Sequence, residues 1–553
     1  MTNQRIPKRA EATLETMRKV FTLPEGDGST LARLEREISE NLLGFLRNHF
    51  ASGDIAPANL EVDFKTSTIP EDPVFVSEQV DYLLSKVVSQ SVHTASPSFI
   101  GHMTSAMPYF MVPLAKIMIP LNQNVVKIET SKAFTPLERQ VIGMLHRLIY
   151  GGSDAFYDQW TQSSQHSLGV FCSGGTIANI TGLWVARNRL LGPRGDFPGV
   201  ADEGLGPALR HYGYDGLAVL VSKRGHYSLS KAANLLGLGR KELIAVPLSS
   251  SHKIDTKALR RELDQLKKRR IAPIAIVGIA GTTETGNVNP LDELANIAQD
   301  YQTAFHVDAA WGGPTLFSER YKGLLKGIER ADSVVIDAHK QLYVPIGAGM
   351  VLFKNVEALS AVEHHANYII RPGSRDIGKH TLEGSRPGMA MLVHSALRII
   401  GRRGYEILID LGIGKAGQFA KMIKASPCFE VITEPELNLL TYRYVPESVK
   451  AALMTATPET QIAINDVLSA LTESIQKTQR QRGKTFVSRT RLEAQAYASQ
   501  TVSVFRVVLA NPLTTRQILS DILEEQRQDG EKLYVEEGMK ATIEEILKTA
   551  ARK

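Results

Sequence analysis

Ser333-Val334-Val335-Ile336-Asp337-Ala338-His339-Lys340 is the stretch on which the reading of this chain turns. Three consecutive β-branched apolar residues suit a strand buried on both faces. The strand then runs straight into an acid, an imidazole and a lysine. A lysine where a strand ends inside an α/β core is expensive to bury unless it is neutral or covalently engaged. Lysines that form imines are the standing exception. The alternative, a lysine leading into a surface loop, is weakened by Leu342 to Phe353, which contains no charged residue.

Outward from this stretch, short apolar runs alternate with helical patterns. Leu168-Gly169-Val170-Phe171 precedes a helix starting near Thr176, and Leu217 to Val221 precedes one from about Ser228. Ile274 to Ile279 precedes the pattern Leu291 to Tyr301, and Ala304 to Val307 follows. This alternation predicts an α/β fold with a mainly parallel sheet. Ligands in such sheets collect at the carboxyl ends of the strands, so two further junctions matter. Cys172-Ser173-Gly174-Gly175-Thr176 is a strand–turn–helix whose small residues let backbone N–H groups approach a phosphate at a helix start. Read alone, it is also what any Ser-Gly-Gly turn capping a helix looks like. His306-Val307-Asp308-Ala309-Ala310-Trp311-Gly312-Gly313 puts a carboxylate at a strand tip, followed by room for a flat ring. Its alternative is an Asp that caps the next helix.

The three junctions together meet the needs of pyridoxal phosphate: a lysine for the aldehyde, an acid beside the pyridine nitrogen and a turn for the phosphate. Ser173-Gly174-Gly175-Thr176, Gly225-His226-Tyr227-Ser228, Gly281-Thr282-Thr283, His306 to Ala310 and Asp337 to Lys340 resemble, in order, the group II pyridoxal-phosphate decarboxylases. The resemblance runs from about His102 to about Gly530. The N-terminal part and Phe505-Arg506-Val507-Val508-Leu509-Ala510-Asn511-Pro512 look most like the glutamate-decarboxylase side of that family. In texture and length the whole chain is similar to the bacterial pyridoxal-dependent aspartate 1-decarboxylases.

The resemblance implies a fold type I enzyme, with residue roles assigned by position. Lys340 would bind the cofactor aldehyde covalently, Asp308 would pair with the pyridine nitrogen, and His226 would stack on the ring face. Gly175, Thr176 and His339 would surround the phosphate with Asp337 beside them, and Thr283 and Ala310 would line the ring pocket. Arg506 would hold the side-chain carboxylate of an acidic amino acid, since a bidentate arginine suits a carboxylate. Thr104 or Ser105 would add hydrogen bonds, and the alternative for Arg506 is a structural residue in a strand. The implied reaction is α-decarboxylation of L-aspartate to β-alanine. Glutamate to 4-aminobutyrate, or decarboxylation of diaminobutyrate or cysteine sulfinate, are the other substrates in view. An aminotransferase or lyase on the same fold is the competing reaction class. A non-catalytic relative is argued against by the intact Lys340, Asp308 and His226. Relatives carry a tyrosine on a loop after the lysine, placed to return a proton. Arg371 to Arg386 contains none, and Tyr368 lies just upstream.

The rest of the chain supplies the frame. Residues 1–100 read as a helical arm, with Leu31, Leu34, Ile38, Leu42 and Phe45 at helical spacing and a second pattern over Val76 to Val92. Its apolar stripe needs a partner surface, and the resemblance implies a homodimer that exchanges such arms. Residues 101–375 read as the large cofactor-binding domain and 376–553 as a smaller C-terminal α/β domain, with β-rich segments at Leu439 to Tyr444 and Val502 to Leu509. The 553 residues carry a net charge of only +6, and hydrophobic residues at 43% exclude a disordered chain. A pI of about 9.0 raises nucleic acid as a partner. Lys267-Lys268-Arg269-Arg270, however, ends a helical pattern where cations complement the dipole. The stretch Lys477 to Arg491 has one aromatic, Phe486, and no stacking platform, so it reads as a solvated surface or loop. Two cysteines, Cys172 and Cys428, cannot build a disulfide framework or a structural zinc site. No metal is expected, and the expected compartment is the cytoplasm. Tyr109 to Leu121 is too short and too proline-rich to span a membrane.

Overall fold

The computed structural model describes residues 30–47, 57–104, 106–366, 370, 373–497 and 499–552. Seven strands, β1 (Gly169–Cys172), β2 (Gly216–Ser222), β3 (Leu243–Val246), β4 (Ile271–Ile279), β5 (Ala304–Asp308), β6 (Ser333–Asp337) and β7 (Gly349–Phe353), form one sheet. Their order is β1-β7-β6-β5-β4-β2-β3. β6, β5, β4, β2 and β3 are parallel, and β7 runs antiparallel to both β6 and β1. β1 therefore points the same way as β6, and the carboxyl ends of β1, β2, β4, β5 and β6 share one edge. All five β6 residues are buried, which accounts for the unbroken apolar run.

Two strands escaped the sequence reading. β7 lies inside the uncharged Leu342 to Phe353 stretch but reverses direction, and β3 is only four residues long. Helices Gly175–Leu190, Tyr227–Leu235, Thr256–Lys268 and Leu291–Asp300 fall where the alternation places them. The third is capped by Asp255, whose Oδ1 accepts from the N–H groups of Lys257 and Ala258, and it ends in Lys267 and Lys268.

The C-terminal part carries an antiparallel sheet of β8 (Phe429–Thr433), β9 (Leu439–Tyr444), β10 (Ser488–Ala494) and β11 (Gln500–Val508), ordered β10-β11-β9-β8. Lys477 to Arg491, expected as a solvated surface or loop, comprises the end of helix Pro458–Arg482, a short loop and the start of β10, with its basic side chains exposed. Helix Ala390–Ala425 breaks at Gly401, whose φ of 69° only glycine adopts without strain. In the N-terminal part, helix Thr30–Arg47 packs on the Val76–Gln90 segment, and its Phe45 ring lies 5.0 Å from that of His93 just beyond. That segment is not one helix as its periodicity suggested. It passes from an α-turn (Val76–Tyr82) through a π-turn (Leu83–Val87) to a 3-10 turn (Val88–Gln90).

Behind the sheet, His146 is 2% exposed, with Nδ1 at 2.9 Å from the Tyr157 hydroxyl and Nε2 at 3.1 Å from the Phe353 carbonyl. Burial lowers its pKa from 6.5 to about 4. The unfolded chain then binds a proton that the folded chain refuses between those two values, so this contribution is complete above pH 6.5 and is lost as pH falls toward 4. Unfolding by urea should therefore become easier by about 1.4 kcal/mol per pH unit across that window. In His146→Gln the slope should drop by that amount. An unchanged slope in the variant would remove His146 as its source.

Candidate active site

The five strand ends surround a cavity of about 400 Å³, a size that suits a small cofactor with its substrate. β1 passes through Ser173 and Gly174 into helix Gly175–Leu190, whose first N–H groups have no side-chain cap. The Ser173 N–H donates to Glu383 Oε2 at 3.0 Å. A Cβ on Gly175 would lie 2.8 Å from Asp337 Oδ2, and one on Gly349 would lie 2.6 Å from Asp337 Oδ1. Both positions are thus restricted to glycine by the carboxylate between them.

Asp337 is 3% exposed. Its Oδ2 pairs with Lys340 Nζ at 2.9 Å and lies 3.6 Å from His339 Nε2, whereas Oδ1 is buried with no partner. His339 Nδ1 donates to the Ala348 carbonyl at 2.9 Å. Lys340 is partly buried against Asp337.

At the tip of β5, Asp308 Oδ1 accepts from the Ala310 N–H at 3.2 Å and Oδ2 from Asn179 Nδ2 at 3.0 Å. Asn179 Oδ1 in turn accepts from His306 Nε2 at 2.9 Å, and His306 Nδ1 accepts from Ser333 Oγ at 2.7 Å. Burial holds His306 neutral by pulling its pKa down. Asn179 Nδ2 also reaches Ser228 Oγ at 3.0 Å, which lies 2.8 Å from His226 Nδ1. One network thus fixes both Asp308 and His226. Burial, against the pull of Asp308, lowers the His226 pKa and leaves a neutral ring. Asp308 caps no helix, because the segment after it is a 3-10 turn beginning at Gly313.

Gly175, Thr176, His226, Thr283, Asp308, Ala310, Asp337, His339 and Lys340 all line the cavity. Arg506, on β11, is buried: Nε donates to the Thr283 carbonyl at 2.7 Å and Nη1 to the Gly101 carbonyl at 3.1 Å. Burial pulls its pKa down to about 10, opposed by Glu284. Thr104 Oγ1 is buried without a partner, and Ser105 and Tyr368 lie outside the described residues. Asn179, Arg224, Met103 and Glu383 were not singled out from the sequence. An amide in the apolar run Ile177 to Leu183 was the available signal for Asn179. A charge two residues before His226 was the signal for Arg224.

The uncapped N–H groups at the start of helix Gly175–Leu190 can donate to a phosphate. An anchored carboxylate opposite a neutral imidazole suits the edge and face of a protonatable ring. The residues present therefore fit pyridoxal phosphate. Among the described residues, no group of His, Cys, Asp and Glu could hold a metal ion. No described helix is long and apolar enough to cross a membrane.

The family model of the pyridoxal-dependent decarboxylase conserved domain matches residues 61–445. The chain is 60% identical over 521 residues to an aspartate 1-decarboxylase of Aliivibrio fischeri, covering 94% of this chain and 95% of that one. It is 25% identical over 439 residues to an L-2,4-diaminobutyrate decarboxylase of Acinetobacter baumannii, covering 76% and 82%. Among solved structures, the glutamate decarboxylase domain of a Vibrio parahaemolyticus diaminobutyrate-pyruvate transaminase and L-2,4-diaminobutyrate decarboxylase superposes with a TM-score of 0.76. It is 22% identical and covers 94% of this chain and 100% of its own. Oryza sativa TDC with PLP and tryptamine gives 0.77 at 18% identity, covering 93% and 100%. Both share the fold, which is the mainly parallel α/β architecture of fold type I. With its cavity built for pyridoxal phosphate and the family's domain matched over most of its length, the chain belongs to the pyridoxal-dependent decarboxylases, carboxy-lyases that act on amino acids.

Proposed function

We propose that this enzyme removes the α-carboxyl group of L-aspartate, giving β-alanine and carbon dioxide. The observation that carries this reading is the 60% identity to an aspartate 1-decarboxylase, sustained over nearly the full length of both chains. When bound, pyridoxal phosphate supplies an electron sink for the pair left behind as carbon dioxide departs. In this reading Lys340 binds the cofactor covalently and Asp308, oriented by Asn179, meets the pyridine nitrogen. His226 covers the ring face, and Gly175, Thr176 and His339 receive the phosphate. Arg506 braces the Thr283 loop against the Gly101 strap at the substrate end.

A panel of L-aspartate, L-glutamate, cysteine sulfinate, 2,4-diaminobutyrate and aromatic amino acids tests the substrate, with carbon dioxide release measured and the product identified by mass. L-aspartate should give the highest kcat/KM and β-alanine the only product. Preference for an aromatic or cationic amino acid would refute the acidic-substrate reading.

The same reading takes residues 1–100 as a dimerising arm, 101–375 as the cofactor-binding domain and 376–553 as the smaller domain. A homodimer is supported by the apolar side chains that helix Met111–Leu121 leaves exposed, among them Val112, Ile117 and Ile119. Light scattering should give twice the chain mass, and deletion of residues 1–100 should dissociate or aggregate the protein. A stable, active full-length monomer would contradict this. Two buried free thiols, Cys172 and Cys428, support a reducing cytoplasmic location.

A further inference from the structure

Arg224 lines the cavity and is 7% exposed. Its Nε is buried with no partner, and among the described residues its side chain makes no hydrogen bond and no ion pair. A guanidinium keeps its charge at every physiological pH, so burying one unpaired is costly unless an anion arrives to meet it. The nearby acids do not fill that role. Glu493 pairs with Lys223 at 3.5 Å, and Glu284 keeps a buried Oε2 with no partner. Arg506 differs, since it spends Nε and Nη1 on two carbonyls.

Arg224 lines the same cavity as Met103, His226 and Thr283. It follows β2 two residues before His226. Glu284 and Glu493 both act on its charge. Glu284 acts on Arg506 and His226 as well. It acts on both arginines and partly offsets their charge.

We propose that Arg224 is a specificity-determining residue, the guanidinium that receives the oxyanionic end of the substrate side chain. The ligand class is a short amino acid ending in a carboxylate or a sulfinate, both of which accept two parallel N–H bonds from a guanidinium. This rests on the acidic-substrate reading above and adds the residue that recognises the acid.

The test uses the cofactor-loaded enzyme and its Arg224→Gln and Arg224→Lys variants. L-aspartate and cysteine sulfinate kinetics distinguish the two oxyanions. Succinate, which lacks the reacting amine, serves as a competitive probe, and pyridoxal phosphate affinity is followed by its visible absorption. Arg224→Gln should raise the aspartate KM and the succinate inhibition constant by about thirtyfold or more, the scale of losing one partner of a buried charge pair. Cofactor affinity should stay unchanged, and Arg224→Lys should recover part of the loss. An unchanged KM and succinate constant in Arg224→Gln would overturn the proposal, as would a variant that loses cofactor affinity while keeping its KM. If Arg224→Gln fails to fold, an Arg224→Lys enzyme with wild-type aspartate KM overturns it equally. These failures leave aspartate decarboxylation standing, whereas a wild-type enzyme inactive on aspartate and active on 2,4-diaminobutyrate would defeat both and point to Glu284 as the substrate's partner.

Discussion

Lys340→Ala is expected to abolish the visible absorption of covalently held cofactor and to lower turnover by about 10⁴-fold or more, the scale on which loss of an essential nucleophile acts. The same substitution strips Asp337 of its 2.9 Å partner. That carboxylate already has one buried oxygen without a hydrogen bond, so part of any loss in alanine could come from a disturbed site. Lys340→Arg separates the two effects. It keeps a cation beside Asp337 but offers no amine able to form an imine, so thermal stability should be retained while the absorption band and the activity disappear. Substantial turnover in Lys340→Arg, measured as carbon dioxide release, would remove Lys340 from the chemistry.

Asp308→Ala should leave a protein that still takes up pyridoxal phosphate, held by Lys340 and the phosphate turn, but decarboxylates about 10²–10³-fold more slowly. The physical reason is electronic. Without an anion beside it the pyridine nitrogen loses its proton, and an unprotonated ring is a poor electron sink. The carboxylate is also a structural anchor, since it accepts from Asn179 and from the Ala310 N–H. Asn179→Ala frees one of its oxygens without removing its charge, and should cost less than Asp308→Ala while shifting the cofactor spectrum. Equal losses in the two variants would mean that Asp308 acts through position alone. Full activity in Asp308→Ala would exclude the role given to it.

Taken by itself, the sequence determined the parts whose signal is local. A short apolar strand needs only consecutive side chains to be recognised, so β6 and the charged residues at its end were legible as Ser333 to Lys340. The Ser-Gly-Gly-Thr turn and the Asp308 strand tip were legible for the same reason, and five sheet strands with their helices followed from periodicity. Tertiary structure decided what depends on residues far apart in the chain. β7 is antiparallel because it returns between β1 and β6, a pairing invisible in Gly349 to Phe353 alone. The partner of Lys340 is Asp337, three residues away, yet that pairing depends on Gly175 and Gly349 leaving space around the carboxylate. Asn179 entered the site because helix Gly175–Leu190 lays it against β5, 129 residues later in the chain, where it bonds Asp308. The two arginines show the limit most directly. Arg506 stood in a recognisable segment and Arg224 in none, but which guanidinium has its N–H groups occupied by carbonyls is settled by packing. Hydrogen-bond partners are a property of the folded interior, where every buried donor must be met by whatever the fold brings beside it.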